Sequence, residues 1–145
     1  MNDFAESGFK FSDEQSGCSV IIDDDGRVAY AYFLDPDGVI TGDVWLYNRC
    51  ETPETPEWTT PDNMPFANPA GYVKRHENFE PVDHIAGFSV EWDVGEHGRP
   101  IAFVFIRDEL WAALEDRAKP GWCIMAAKDG PLAKTIASIP LAAKH

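Results

Sequence analysis

Val28-Ala29-Tyr30-Ala31-Tyr32-Phe33-Leu34 runs into Asp35-Pro36-Asp37-Gly38 and returns as Val39-Ile40-Thr41-Gly42-Asp43-Val44-Trp45-Leu46-Tyr47-Asn48-Arg49-Cys50. Two runs rich in β-branched and aromatic residues flank a turn built from aspartate, proline and glycine, which is the signature of a β-hairpin. Alternation puts Val28, Tyr30, Tyr32 and Leu34 on one face and Ala29, Ala31 and Phe33 on the other. In the return run Val44 and Leu46 oppose Trp45, Tyr47 and Arg49. Both faces carry apolar mass, so the hairpin is expected in the middle of a sheet covered on each side.

Outward from the hairpin, Cys18-Ser19-Val20-Ile21-Ile22 reads as a preceding strand, and Phe9 and Phe11 alternate about Lys10 as a short edge strand. The link Asp23-Asp24-Asp25-Gly26 is turn chemistry, since glycine accepts positive φ and aspartate tolerates it. Strands over 18–22, 28–34 and 39–47 then form an antiparallel meander whose two aspartate turns lie at opposite ends. Asp23-Asp24-Asp25-Gly26 lacks the alternate-residue oxygen spacing of an EF-hand and has strand flanks, and Asp35-Pro36-Asp37-Gly38 has only two of the acids, so no metal site is assigned.

Residues 50–81 change character. Pro53, Pro56, Pro61, Pro65, Pro69 and Pro81 exclude a central strand, while Trp58, Phe66, Tyr72 and Phe79 speak against a disordered linker. The expectation is a long Pro-rich loop laid across the sheet and anchored by Trp58, Phe66 and Tyr72. A loop of this length either covers the sheet or walls a site.

Residues 85–93 return to clean alternation, with Phe88, Val90 and Trp92 inward and Ser89, Glu91 and Asp93 outward. Residues 101–106, Ile-Ala-Phe-Val-Phe-Ile, form a buried strand. Next, Asp108 reads as an N-cap, Glu109 favours the positive helix start, and Leu110, Trp111 and Leu114 make a stripe. This predicts a covering helix over 108–118, stopped by Pro120-Gly121. A last strand over 122–127 and a short C-terminal helix over 131–138, opened by Pro131, complete the chain. The predicted fold is one α+β domain spanning 1–145, a mainly antiparallel sheet of about six strands with one covering helix.

At 145 residues the chain is the size of one domain. A chain of that size buries roughly 68–70% of its unfolded surface and needs neither disulfide nor metal to fold. Cys18, Cys50 and Cys123 are odd in number and far apart, which points to free thiols in a reducing cytoplasm, with one bridge and a spare thiol as the alternative. No run of about 18 apolar residues is present, so no membrane-spanning helix is expected. The first residues lack a basic segment followed by an apolar one, so no secretory signal is expected either.

The formal charge is −13, and it is unevenly spread. Residues 1–62 hold 14 acids against 3 bases, a net −11, while residues 63–145 hold 11 acids against 9 bases, a net −2. This excludes nucleic-acid and anionic-membrane partners, which need clustered lysine and arginine. It suits a basic protein partner, and it also keeps a small protein dissolved.

The chain shows no G-x-S-x-G, no P-loop and no dinucleotide fingerprint, so no cofactor is assigned. His76 beside Glu77 and His84 beside Asp83 are sequence neighbours that point apart in a strand, so neither pair is itself a dyad. A Cys50/His76 or Cys123/His84 nucleophile pair stays open, because such partners meet in space. Cys50, His76, His84 and Cys123 lack the short ligand spacing of zinc sites.

The run Asp-Val-Trp-Leu-Tyr-Asn-Arg at 43–49, with Pro-Phe-Ala-Asn-Pro at 65–69, looks like that of small bacterial proteins of unknown function. In size, acidity and lack of catalytic motifs the chain resembles the immunity proteins that neutralise antibacterial toxins. That family shares no diagnostic motif, so no residue is carried over from it. The resemblance implies a non-enzymatic, cytoplasmic inhibitor of a basic toxin such as a nuclease. On this expectation Asp23, Asp24, Asp25, Asp35, Asp37, Asp43, Glu51, Glu54 and Glu57 steer the partner, and Trp45, Tyr47 and Trp58 contact it. The alternative is a small-molecule binder or enzyme with a pocket between the sheet and the Pro-rich loop.

Overall fold

The structure is a computed structural model, and it describes residues 8–58, 64–74, 87–95 and 98–138. The architecture is nearly all β. Strands β1 (Gly8–Ser12), β2 (Ser19–Asp24), β3 (Val28–Leu34) and β4 (Ile40–Asn48) form one antiparallel sheet in chain order. Strands β5 (Phe88–Val94), β6 (Pro100–Ile106), β7 (Glu109–Glu115), β8 (Trp122–Cys123) and β9 (Lys134–Thr135) form a second, also in chain order. Its last pairing, β8 with β9, is parallel. Among the described residues no helix is long and apolar enough to cross a membrane.

The predicted meander is present, including the edge strand carrying Phe9 and Phe11. The hairpin, however, is not central, because β4 lies last in its sheet. Its outer edge is capped by the C-terminal segment: Trp45 N–H donates to Leu132 O at 3.0 Å and Gly121 N–H to Asp43 O at 2.7 Å. Both faces are covered as the two-sided apolar pattern requires. Phe9, Phe11, Val20, Ile22, Ala31, Phe33 and Val44 share, through the register, the face turned to the second sheet. There Phe9 meets Phe88 with ring centroids 5.4 Å apart, and Phe33 meets Trp92 at 6.0 Å. Gly42 belongs to the same face. A Cβ there would stand 2.9 Å from Glu115 O and 3.0 Å from Ala118 O, so only glycine lets β4 approach the turn after β7.

One irregularity joins the sheets. Ala29 faces Tyr47 and Tyr30 faces Trp45, so Leu46 is the extra residue of a β-bulge. Its carbonyl accepts from Trp111 Nε1 at 2.9 Å and from the Cys123 thiol at 3.4 Å, both on the second sheet. The bulge also puts Tyr47 on the face opposite Trp45, whereas simple alternation placed them together.

The covering helix predicted over 108–118 is absent, and with it the α+β class. Arg107 and Asp108 take φ of 51° and 66°, which is a two-residue hairpin turn, and β7 follows in register with β6. The physical reason is burial on both sides. Leu114 and Ala112 pack into the shared core, while Ala113 and Trp122 pack under Ile136 on the outer face. A strand buried on both faces shows no alternation, and a short apolar run of that kind cannot be told from a helix by period alone.

The C-terminal helix predicted over 131–138 is likewise replaced by β9 and a 3₁₀ turn, Ile136–Ser138. Lys134 N–H donates to Gly121 O at 2.8 Å, so tertiary pairing takes the backbone donor that a helix would have used. The strand predicted over 122–127 is shortened to β8, after which Ala126 bridges to Val73 of the Pro-rich loop. Among the described residues, the expectation of about six strands in one sheet gives way to nine in two.

Candidate functional site

The described parts of the Pro-rich loop lie across the tyrosine face of the first sheet. Asn48 holds one end: its Oδ1 accepts from Trp45 Nε1 and from Asn68 N–H, each at 2.9 Å, and its Nδ2 donates to Asn68 O at 2.9 Å. Arg27 holds the other. Its guanidinium pairs with Glu57 and donates to Pro65 O at 3.2 Å, while Glu57 Oε1 accepts from Ala67 N–H at 2.9 Å. Trp58 and Phe66 pack on the core, and Trp58 meets Tyr72 edge-on at 5.4 Å, as the anchoring role predicted for these three requires.

Between loop and sheet a cleft of about 220 Å³ remains. Tyr30, Tyr32 and Asp43 come from the sheet, Met64, Pro65 and Phe66 from the loop, and Pro131 and Leu132 from the C-terminal segment. Alternation along β3 sets the two tyrosines side by side, with centroids 6.1 Å apart and planes 13° from parallel. Tyr30 Oη donates to Phe66 O at 2.7 Å, tying the wall to the sheet. Asp43 lies directly across from Tyr32 in the ladder.

Charge converges on this pair. Burial pushes the Tyr30 phenol well above its ordinary range; Tyr32, Asp43 and Glu57 add to the shift and Arg27 opposes it. Burial pushes Tyr32 up to about 12, with Asp23, Asp43 and Asp25 adding. The Asp43 carboxyl is also raised, because its partial burial outweighs the favourable field of Lys119. Among the described residues the Asp43 carboxylate takes no hydrogen bond and no ion pair.

The other predicted site residues divide. Trp45 and Tyr47 are 0% and 1% exposed, so they are core residues and offer no surface to a partner. Asp24 is committed internally, accepting from Tyr47 Oη at 2.8 Å, Arg49 Nε at 2.7 Å and Gly26 N–H at 2.9 Å. Asp25 closes its turn through Arg27 N–H at 2.8 Å and Val28 N–H at 3.0 Å, and Asp35 does the same through Asp37 and Val39. Asp37, Glu51 and Glu54 are exposed, Asp37 at the opposite end of β3 from Asp25. The acidity therefore does not form one continuous side.

Sequence reasoning named Phe66 as a loop anchor but missed Arg27, Asn48 and Leu132 as cleft-building residues. Only Arg27 carried a signal, as one of three bases among 14 acids in residues 1–62. His76, His84, His97 and His145 all lie outside the described residues, as do the 59–63 and 75–81 parts of the loop. Cys18 and Cys123 are buried, Cys50 is half-buried, and all three are free thiols. No family model matches this chain, and the comparisons with curated proteins and with solved structures found no match.

Proposed function

We propose that this protein is a non-enzymatic binding module that docks a positively charged partner protein on its Tyr30–Tyr32 face. The observation that carries this reading is the convergence of Asp23, Asp25 and Asp43 on two stacked tyrosines beside a cleft. Tyrosines bring large contact area with a polar tip, and a recess lined by one sign of charge focuses the field on an approaching partner. An inhibitor of a basic toxin is the concrete form of this proposal. Size weighs against the small-molecule alternative, since ligand pockets usually enclose roughly 300–1,000 Å³, more than the 220 Å³ present.

The test is the association rate of a synthetic arginine- and lysine-rich peptide, measured by stopped flow at several salt concentrations. The rate is expected to fall with salt and to drop by on the order of tenfold in an Asp23→Asn/Asp43→Asn variant. Asp37→Asn, at the far end of β3, is expected to change it little. A rate indifferent to salt, or equally affected by both variants, overturns the reading.

A further inference from the structure

We infer that the cleft is a socket for one guanidinium group, an arginine side chain of the docking partner, seated against the Tyr30–Tyr32 stack with its N–H fork on the Asp43 carboxylate. This rests on the docking reading above and names the chemistry of its anchor.

Three observations lead there. First, Asp43 is a partly buried carboxylate without a hydrogen bond among the described residues. Its partial burial already outweighs the field of Lys119, so a further counter-charge seated on it is favoured. Second, the described residues that line the cleft around it, Tyr30, Tyr32, Met64, Pro65, Phe66, Pro131 and Leu132, are mainly aromatic and aliphatic. An ammonium holds its water strongly, whereas a guanidinium is weakly hydrated, planar and able to lie on aromatic faces. Third, the same loop already binds one guanidinium. Arg27 is held by a carboxylate, Glu57, together with a loop carbonyl, Pro65 O. Asp43 and Phe66, which follows Pro65 in the loop, both line the cleft and offer the same two kinds of group, a carboxylate and a loop carbonyl. Phe66 O takes one bond, from Tyr30 Oη, and a carbonyl has a second lone pair to offer.

The volume sets the stoichiometry. About 220 Å³ suits a single long side chain and not a folded metabolite. Met64, 67% exposed at the rim, leaves the mouth accessible from outside.

The test is a ¹H–¹⁵N correlation titration of the full chain with three probes: Nα-acetyl-arginine amide, the lysine analogue, and the citrulline analogue, which keeps the shape and loses the charge. Arginine amide is expected to shift the backbone amides of Tyr32, Asp43, Phe66 and Leu132 saturably. The lysine probe is expected to bind at least several-fold more weakly, and citrulline to shift none of them. Asp43→Asn should weaken the arginine probe at least tenfold, with a thermal melt confirming the fold. Met64→Trp, which fills the mouth without touching charge, should block it as well. Equal binding of lysine or citrulline overturns the inference, and so does arginine binding that survives both variants or is absent. If the arginine probe fails while the basic peptide still associates in a manner sensitive to salt and to Asp23 and Asp43, the socket falls and the docking reading stands. If both fail, both fall.

Discussion

At the scale of single residues, Asp43 behaves as a group kept at a cost. Its carboxyl is raised in the folded state, so near neutral pH the unfolded chain holds that charge more comfortably. Asp43→Asn is therefore expected to raise the urea midpoint while weakening cation binding, the opposite pairing to a structural residue. An Asp43→Asn variant less stable than the parent contradicts this. Asp24 predicts the reverse. It satisfies the buried Tyr47 hydroxyl and the Arg49 guanidinium, so Asp24→Ala should cost about 1–3 kcal/mol in urea unfolding. In the run Asp23-Asp24-Asp25 the sequence marks a turn but cannot say which carboxylate is spent inside. That depends on Tyr47 crossing to the Asp24 side at the Leu46 bulge, a tertiary event.

The tyrosines give a pH signature at the same scale. A phenol whose folded pKa exceeds its unfolded value stabilises the fold fully below the unfolded value and loses that contribution as pH rises toward the folded one. For Tyr32 the window runs from the ordinary 10.0 to about 12, and Tyr30 acts in the same direction. Stability should fall across that window, and less steeply in Tyr32→Phe. Thermal melts through it check the slope, and identical slopes in the two proteins would go against the assignment.

At the scale of elements, the informative case is β7. Glu109-Leu110-Trp111-Ala112-Ala113-Leu114-Glu115 is composed of helix formers with apolar residues three and four apart, and the helix reading followed from that. What decides for a strand is outside the segment, in the turn at Arg107 and Asp108 and the pairing of Ala112 and Ala113 with β8. Asp108 at φ 66° bears the strain of a left-handed conformation, so Asp108→Gly should stabilise by about 1 kcal/mol. An unchanged or lowered stability in chemical denaturation would contradict a strained turn at Asp108. The first sheet was legible for the contrary reason: its turns carry Asp-Gly chemistry and its runs are rich in valine, isoleucine and tyrosine. Phe88, Val90 and Trp92 were legible by alternation, because their strand has one wet face.

At the scale of the whole molecule, strands at 85–93 and 101–106 and a pocket between sheet and Pro-rich loop were within reach of the sequence, but the division into two sheets and the lining of the cleft were not. Both come from long-range contacts: Trp111 with Leu46 O, Gly121 with Asp43 O, Leu132 with Trp45, and the Arg27 clamp on Glu57 and Pro65. The uneven charge was legible, but its arrangement was not. Arg49 and Arg27 are consumed by Asp24 and Glu57, and of what remains Asp23, Asp25 and Asp43 act on Tyr32 while Asp37 stands at the far end of β3. The thiols report on the same packing. The Cys123 thiol, buried and pushed up to about 12, and the buried Cys18 should resist a thiol reagent in the folded protein, leaving Cys50 as the reactive one. Three thiols titrating at the same rate without denaturant would contradict the two-sheet core.

The most direct measurement is site-specific photo-crosslinking in cells of the native host, with a benzophenone side chain at Pro131, exposed beside the cleft, or at Val94, exposed on β5. A basic protein is expected to attach from position 131, to be lost when Asp43→Asn is added, and not to attach from position 94. Equal attachment from both positions, or attachment at 131 indifferent to Asp43, would contradict the account.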